Sequence, residues 1–211
     1  MVKKIAVVAE DLLTQAVLHK CISEVLPAYS VARTDVKSGR GNVQRELRAY
    51  AALAQVMPVF VGVDLDNDDC APTLLGGWGR LPPQAGFLLR VAVREIEAWV
   101  LADQKRVASF IGAAPNNVPK RPDQLADPKR SLLELARAHA GSELKADLVP
   151  RNYDALYPRI GRAYNLRLCE FVAKKWRPRK LPRQVDIPEL ESAAVVSLGM
   201  NSLGGRPPRA S

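Results

Sequence analysis

The sequence predicts an α/β fold: a four-stranded parallel sheet flanked by helices, with a helical extension after it. Three observations predict it. Four short apolar, β-prone runs, KIAVVAE, YSVARTDV, MPVFVGVD and GFLLRVAV, recur between residues 4 and 93. Segments with helical spacing separate them, the alternation expected when helices cover a parallel sheet. Beyond about residue 113 the strand pattern stops and only helical segments follow.

Taken in order, KIAVVAE (4–10) is a near-continuous apolar run, as a strand buried on both faces requires. Asp11 then caps a helix to about Leu26, with Leu18, Cys21, Ile22 and Val25 at helical spacing. YSVARTDV (29–36) is the second strand, and KSGRGN leads from it into a helix over 43–56. MPVFVGVD (57–64) is the third strand. GFLLRVAV (86–93) is the fourth and runs into one helix, REIEAWVLADQKRVASFIG, whose buried stripe is Ile96, Val100, Val107 and Ile111. In DPKRSLLELARAHA, Asp127 is the N-cap and Pro128 the first helical residue. YDALYPRIGRAYNLRLCEFVAKKW supplies one or two further helices. The expected division is a core over 1–112, a helical extension packed on it over 113–191, and a flexible tail over 192–211.

Composition narrows the function classes. A hydrophobic fraction of 47% with 25% charged residues is that of an ordinary soluble domain, but a net charge of +9 favours a polyanionic partner, nucleic acid before an anionic membrane. The first apolar run is too short for a signal peptide, and no stretch approaches the ~18 apolar residues of a membrane helix. Cys21, Cys70 and Cys169 are odd in number and scattered. They read as reduced thiols of a cytoplasmic protein, not as a zinc site.

The stretch FVGVDLDNDD (60–69) places four aspartates directly after a strand. Their repulsion needs a metal ion, a nearby cation cluster or full solvation as an exposed turn. A calcium loop is excluded, because Asp69 stands where glycine is required and Leu75 where a bidentate glutamate is required. Asp64 and Asp66, two apart on an extended chain, point to one side at the carboxyl edge of the sheet, where α/β proteins build sites. Glu10 ends the first strand on the same edge. If the strand order is 2-1-3-4, Glu10 faces Asp64 and Asp66, and three converging carboxylates call for a divalent cation or raised pKa values. Oxygen-only ligands suit magnesium or manganese. Glu95 and Glu97 belong to the same rim, although Glu97 is equally explained as a first-turn residue favoured by the helix dipole. Asp103 falls on the buried stripe and needs an arginine partner or a place in the site.

Glu10 after the first strand and Asp64-Leu65-Asp66 after the third resemble a Toprim domain, the fold of type IA topoisomerases, primases and OLD-family nucleases. VAVREIEAWVLAD (91–103) followed by DPKRSLLEL (127–135) is similar to the small stand-alone RloB-like Toprim proteins. The resemblance spans roughly residues 4–175. It implies a magnesium-dependent nuclease, with Glu10 as general acid/base and Asp64 and Asp66 as metal ligands. It also implies a setting in phage defence beside an AAA-type ATPase partner. One departure is Asp11, which follows the glutamate where the family usually has glycine.

Two basic segments are candidates for nucleic-acid contact. In KSGRGN, Lys37 and Arg40 flank glycines that let a phosphate approach, or the segment is a plain connection. In KKWRPRKLPR (174–183), Lys174, Lys175, Arg177 and Arg179 surround Trp176, an arrangement suited to a phosphate backbone and one stacked base. Trp78, in LLGGWGRLPP, reads as a loop residue plugging a core edge, and Trp99 as core. The leading expectation is a metal-dependent nuclease acting on DNA or RNA. The other reading is a non-catalytic nucleic-acid-binding or regulatory subunit of an ATPase complex.

Overall fold

A computed structural model of the chain describes residues 2–79, 85–153 and 159–178. Strands β1 (Lys3–Ala9), β2 (Tyr29–Val36), β3 (Val59–Asp64) and β4 (Phe87–Ala92) form one parallel sheet in the order β2-β1-β3-β4. This is the α/β, Toprim-like layout that the sequence predicts. Helices α1 (Leu12–Val25), α2 (Arg40–Leu53) and α3 (Ala71–Gly77) connect the first four strands. Asp11 caps α1 as expected, its carboxylate accepting the Thr14 N–H at 2.7 Å.

Alternation along the buried strands sorts side chains to two cores. Ala6 and Val8 of β1 join Val59, Val61 and Val63 of β3, and Val43 and Leu47 of α2, on one face. Ile5, Val7 and Phe60 face α1 on the other. Gly62 lies under α1, where a Cβ would sit 2.9 Å from a Leu18 methyl and 3.0 Å from a Thr14 methyl. Its lack of a side chain is what lets α1 pack this closely on β3.

The single helix expected over 95–113 is instead two. Helix α4 (Ile96–Leu101) has every residue buried, and α5 (Gln104–Ile111) starts anew after Asp103. Asp103 has left the helical conformation (φ −87°, ψ 65°), so it is not on a continuous buried stripe. No Gly or Pro marks the break; a helix buried all round cannot continue as an amphipathic one in the same direction. Helix α3 takes in residues 74–77, read from sequence as the start of a loop, with Trp78 at its end packed on the second core.

The extension comprises α6 (Pro128–His139), α7 (Ser142–Leu148) and α8 (Tyr164–Lys174). Asp127 caps α6 through the Arg130 N–H at 2.7 Å. Leu132, Leu133, Leu148, Leu168, Phe171 and Val172 share the core of Ile5, Val7 and α1, so the extension packs on that face of the sheet. The Phe171 ring stacks on Phe110 at 4.4 Å. Among the described residues no helix is long and apolar enough to cross a membrane. The predicted tail, 192–211, and Arg179 lie outside the described residues.

Candidate functional site at the carboxyl edge of the sheet

Parallel pairing of β1 with β3 matches Ala9 to Gly62, so the residue after β1 stands beside the end of β3. Glu10 therefore reaches across and accepts the Asp64 N–H at 3.0 Å. Asp64 is 6% exposed, and its Oδ1 accepts the Ile96 N–H at 2.9 Å, capping α4. The sheet order assumed from sequence thus brings Glu10 and Asp64 into contact.

Both carboxyls are held above the usual carboxylate range. For Glu10 the first cause is burial, opposed by the Asp64 N–H and reinforced by the Asp66 charge. Asp64 is pushed well up, first by burial and then by Glu97, Glu10 and Asp11, with Lys129 acting against them. Asp66 has a left-handed backbone (φ 51°), a conformation that Asp tolerates, and its N–H is held by the Arg94 carbonyl at 2.9 Å. Its side chain is turned to Arg40, at 3.6 Å, whose other nitrogen meets Asp68 at 2.7 Å. The same guanidinium donates to the Asp64 and Leu65 carbonyls at 3.2 and 2.9 Å. Arg94 donates to the Asp66 and Asp68 carbonyls.

The second half of the rim is tied to the extension. Glu95 accepts the Lys129 backbone N–H and its ammonium, both at 2.9 Å. Glu97 is 2% exposed; its Oε1 accepts the Tyr164 hydroxyl at 2.9 Å and lies 3.8 Å from the Lys129 ammonium. Glu97 Oε2 is buried with no hydrogen-bond partner. Burial drives the Glu97 carboxyl up to about 7 against the pull of Lys129, with Glu95 adding to the rise. Burial works against the Lys129 charge, but Glu97 and Glu95 hold the ammonium above its ordinary range. Lys129, Arg94 and Tyr164 are rim residues that sequence reasoning missed. Their partners lie across the fold, and only the position of Lys129 beside the Asp127-Pro128 cap gave any local signal.

The acids thus meet cations supplied from within the chain. Asp103 lies off the rim, bonded to Arg106 at 3.1 Å and to the Arg177 N–H at 2.9 Å. Among the described residues no three His, Cys, Asp or Glu side chains are gathered so as to hold one metal ion, and Asp66 lies against Arg40. The donors nonetheless suit a hard divalent cation by type. They are carboxylate oxygens of Glu10, Asp64 and Glu97, all raised by burial first, beside one orphaned glutamate oxygen.

Of the basic candidates, Lys37 bonds Glu46 at 2.8 Å and Asp35 at 3.4 Å and lies over the Tyr50 ring. Arg177 pairs with Glu24. Lys174 and Lys175 are exposed at the end of α8. Trp176 corrects an expectation: it is 1% exposed, with its indole N–H donating to the Val100 carbonyl at 3.1 Å. It is a core residue and has no free face for a base. Comparison with protein-family models, with curated proteins and with solved structures gives no match to this chain.

Proposed function

We propose that the protein is a magnesium- or manganese-dependent nuclease of the Toprim type, cleaving phosphodiester bonds of DNA or RNA. The observation that carries this reading is the contact of Glu10 with the Asp64 backbone at the carboxyl ends of adjacent strands. Asp64 and Asp66 would hold the cation, with Glu10 as a further ligand or the proton-transfer group. A bound divalent ion supplies Lewis-acid polarisation of the phosphate and lowers the pKa of attacking water. Burial raises the Glu10 carboxyl above its ordinary value, the direction that favours holding and returning a proton. Its position is fixed by the Asp64 N–H, and Asp64 is fixed in turn by the Ile96 N–H. Arg40 contributes positive charge beside Asp66 for the phosphate oxygens, and engagement of Asp66 by a cation requires it to exchange that partner.

The test is cleavage of end-labelled DNA and RNA with millimolar magnesium or manganese, by the wild-type chain and by Asp64→Asn and Glu10→Gln. Cleavage by the wild type with a loss of at least a hundredfold in both variants supports the reading. Equal cleavage by all three, or none by any, with or without a co-encoded AAA-type ATPase, refutes it.

One observation favours a second reading, a non-catalytic nucleic-acid-binding subunit of such an ATPase. Asp64 and Glu95 already cap backbone N–H groups, and Arg40 and Lys129 already neutralise the rim. In that case melting curves are insensitive to millimolar magnesium, whereas the nuclease reading predicts a stabilisation that Asp64→Asn removes.

A further inference from the structure

The segments proposed from sequence to touch a polyanion turn out to be largely engaged elsewhere, yet the chain carries +9. Three arginines without an acidic partner among the described residues come together at a different place. A cleft of about 940 Å³ opens between the end of α7 and the approach to α8, lined among others by Arg151, Asn152, Arg159, Ile160 and Arg162. All three arginines are exposed. Among the described residues none of them takes part in an ion pair or a side-chain hydrogen bond. Among the described lining residues the one acid, Asp147, is paired with Arg167, which also binds Glu143. The described lining is therefore cationic, with that acid already neutralised.

The cleft is also built. The chain before α8 is pinned to the end of α7, with the Gly161 N–H donating to the Leu148 carbonyl at 2.8 Å and the Ala163 N–H to the Asp147 carbonyl at 3.2 Å. A Cβ on Gly161 would lie 2.3 Å from the Asp147 carbonyl oxygen, so only glycine permits this approach. Arg159 and Arg162 thereby flank a fixed point in the chain, and Arg151 lines the same cleft. Ile160, 41% exposed, adds an apolar ledge between them. Two residues after Arg162, the Tyr164 hydroxyl reaches Glu97 of the acidic rim, which ties the cleft to the proposed catalytic edge through α8.

We infer that Arg151, Arg159 and Arg162 form a phosphate-backbone site for single-stranded nucleic acid, seating the strand whose cleavage the rim would carry out. The choice of ligand class rests on the nuclease reading; the site itself rests on the cleft. Spaced guanidiniums on a concave, partly apolar surface match successive phosphates with a sugar or base face between them. A flat basic surface for anionic lipid needs no such cleft.

The test is fluorescence anisotropy with labelled single-stranded 20-mers of DNA and of RNA, using the full chain without divalent metal. The comparison is wild type, the triple variant Arg151→Gln/Arg159→Gln/Arg162→Gln, and a charge control, Arg48→Gln/Lys105→Gln/Lys120→Gln. If three phosphate contacts are lost, the slope of log K against log salt flattens by about 2–3 and affinity at 0.1 M salt falls by at least about tenfold. The charge control, which loses the same net charge from exposed sites elsewhere, should weaken binding far less. Equal weakening in the two triple variants overturns the inference, as does a wild type that binds neither oligonucleotide. It is likewise overturned if the cleft variant loses binding only to phosphatidylglycerol vesicles. Cleavage is scored separately with millimolar magnesium or manganese: a cleft variant that loses binding, beside a wild type that binds but does not cleave there, sinks the nuclease reading and leaves the cleft assignment standing.

Discussion

Replacing Glu97 with Gln should stabilise the protein at alkaline pH relative to acid pH. Glu97 sits 2% exposed with one oxygen unpartnered, and its carboxyl titrates at about 7 in the fold against an ordinary value of 4.5. A raised carboxyl pKa means that the folded state binds the proton more tightly than the unfolded chain. Its favourable contribution is complete below pH 4.5 and is lost as pH rises through 7. At about 1.4 kcal/mol per pH unit of displacement, the ionised group costs the fold roughly 3 kcal/mol once both states are deprotonated. Between pH 5 and 8 the loss amounts to roughly 2–3 kcal/mol, with no solvent screening to discount at so buried a site. Gln retains an acceptor for the Tyr164 hydroxyl but carries no charge, so it escapes this loss. The attraction of Lys129 for the ionised carboxylate is already contained in the value of about 7, so it needs no separate allowance. Urea melts of wild type and Glu97→Gln at pH 5 and pH 8 give the number directly. In thermal melts the variant should gain roughly 5–10 °C relative to wild type over that interval. A difference between the two proteins that does not change with pH would refute the assignment of a burial-raised carboxyl to Glu97.

Two further outcomes follow from packing and capping. Trp176→Ala removes a 1%-exposed indole and its hydrogen bond to the Val100 carbonyl, so urea unfolding should show a loss of about 3–5 kcal/mol, far beyond what a nucleic-acid-facing tryptophan would cost. Asp127→Ala removes the cap on the Arg130 N–H at the start of α6 and should cost about 1 kcal/mol, with Asp127→Asn restoring most of it.

What was legible in the sequence was what is encoded locally. Continuous apolar runs marked β1 and β3 because both of their faces are buried, and Asp11 and Asp127 marked helix starts because a cap acts over three residues. The strand order placed Glu10 beside Asp64 by topology alone. The rest depended on where chains far apart in sequence meet. The helix break at Asp103 carries no Gly or Pro signal, and the Asp103 carboxylate finds the Arg177 N–H only in the folded protein. Trp176, embedded in basic residues, reads as exposed until α4 is placed beneath it. Lys37 and Arg177 were read as free cations because their acidic partners, Glu46 and Glu24, lie on other elements. Arg151, Arg159 and Arg162 went unremarked because a segment read as helix conceals that Gly161 pins it to α7.

The packing of α8 against α1 has a consequence for how the chain is made. Leu13, Val17 and Leu18 of α1 share a core with Leu168, Phe171 and Val172 of α8. The two helices are separated in sequence by everything from residue 26 to residue 163. On a ribosome adding ~5–20 residues per second, the apolar face of α1 waits roughly 7–30 s for its cover. A nascent chain stalled before α8 has all four strands made but leaves uncovered the surface of α1 that α8 packs on.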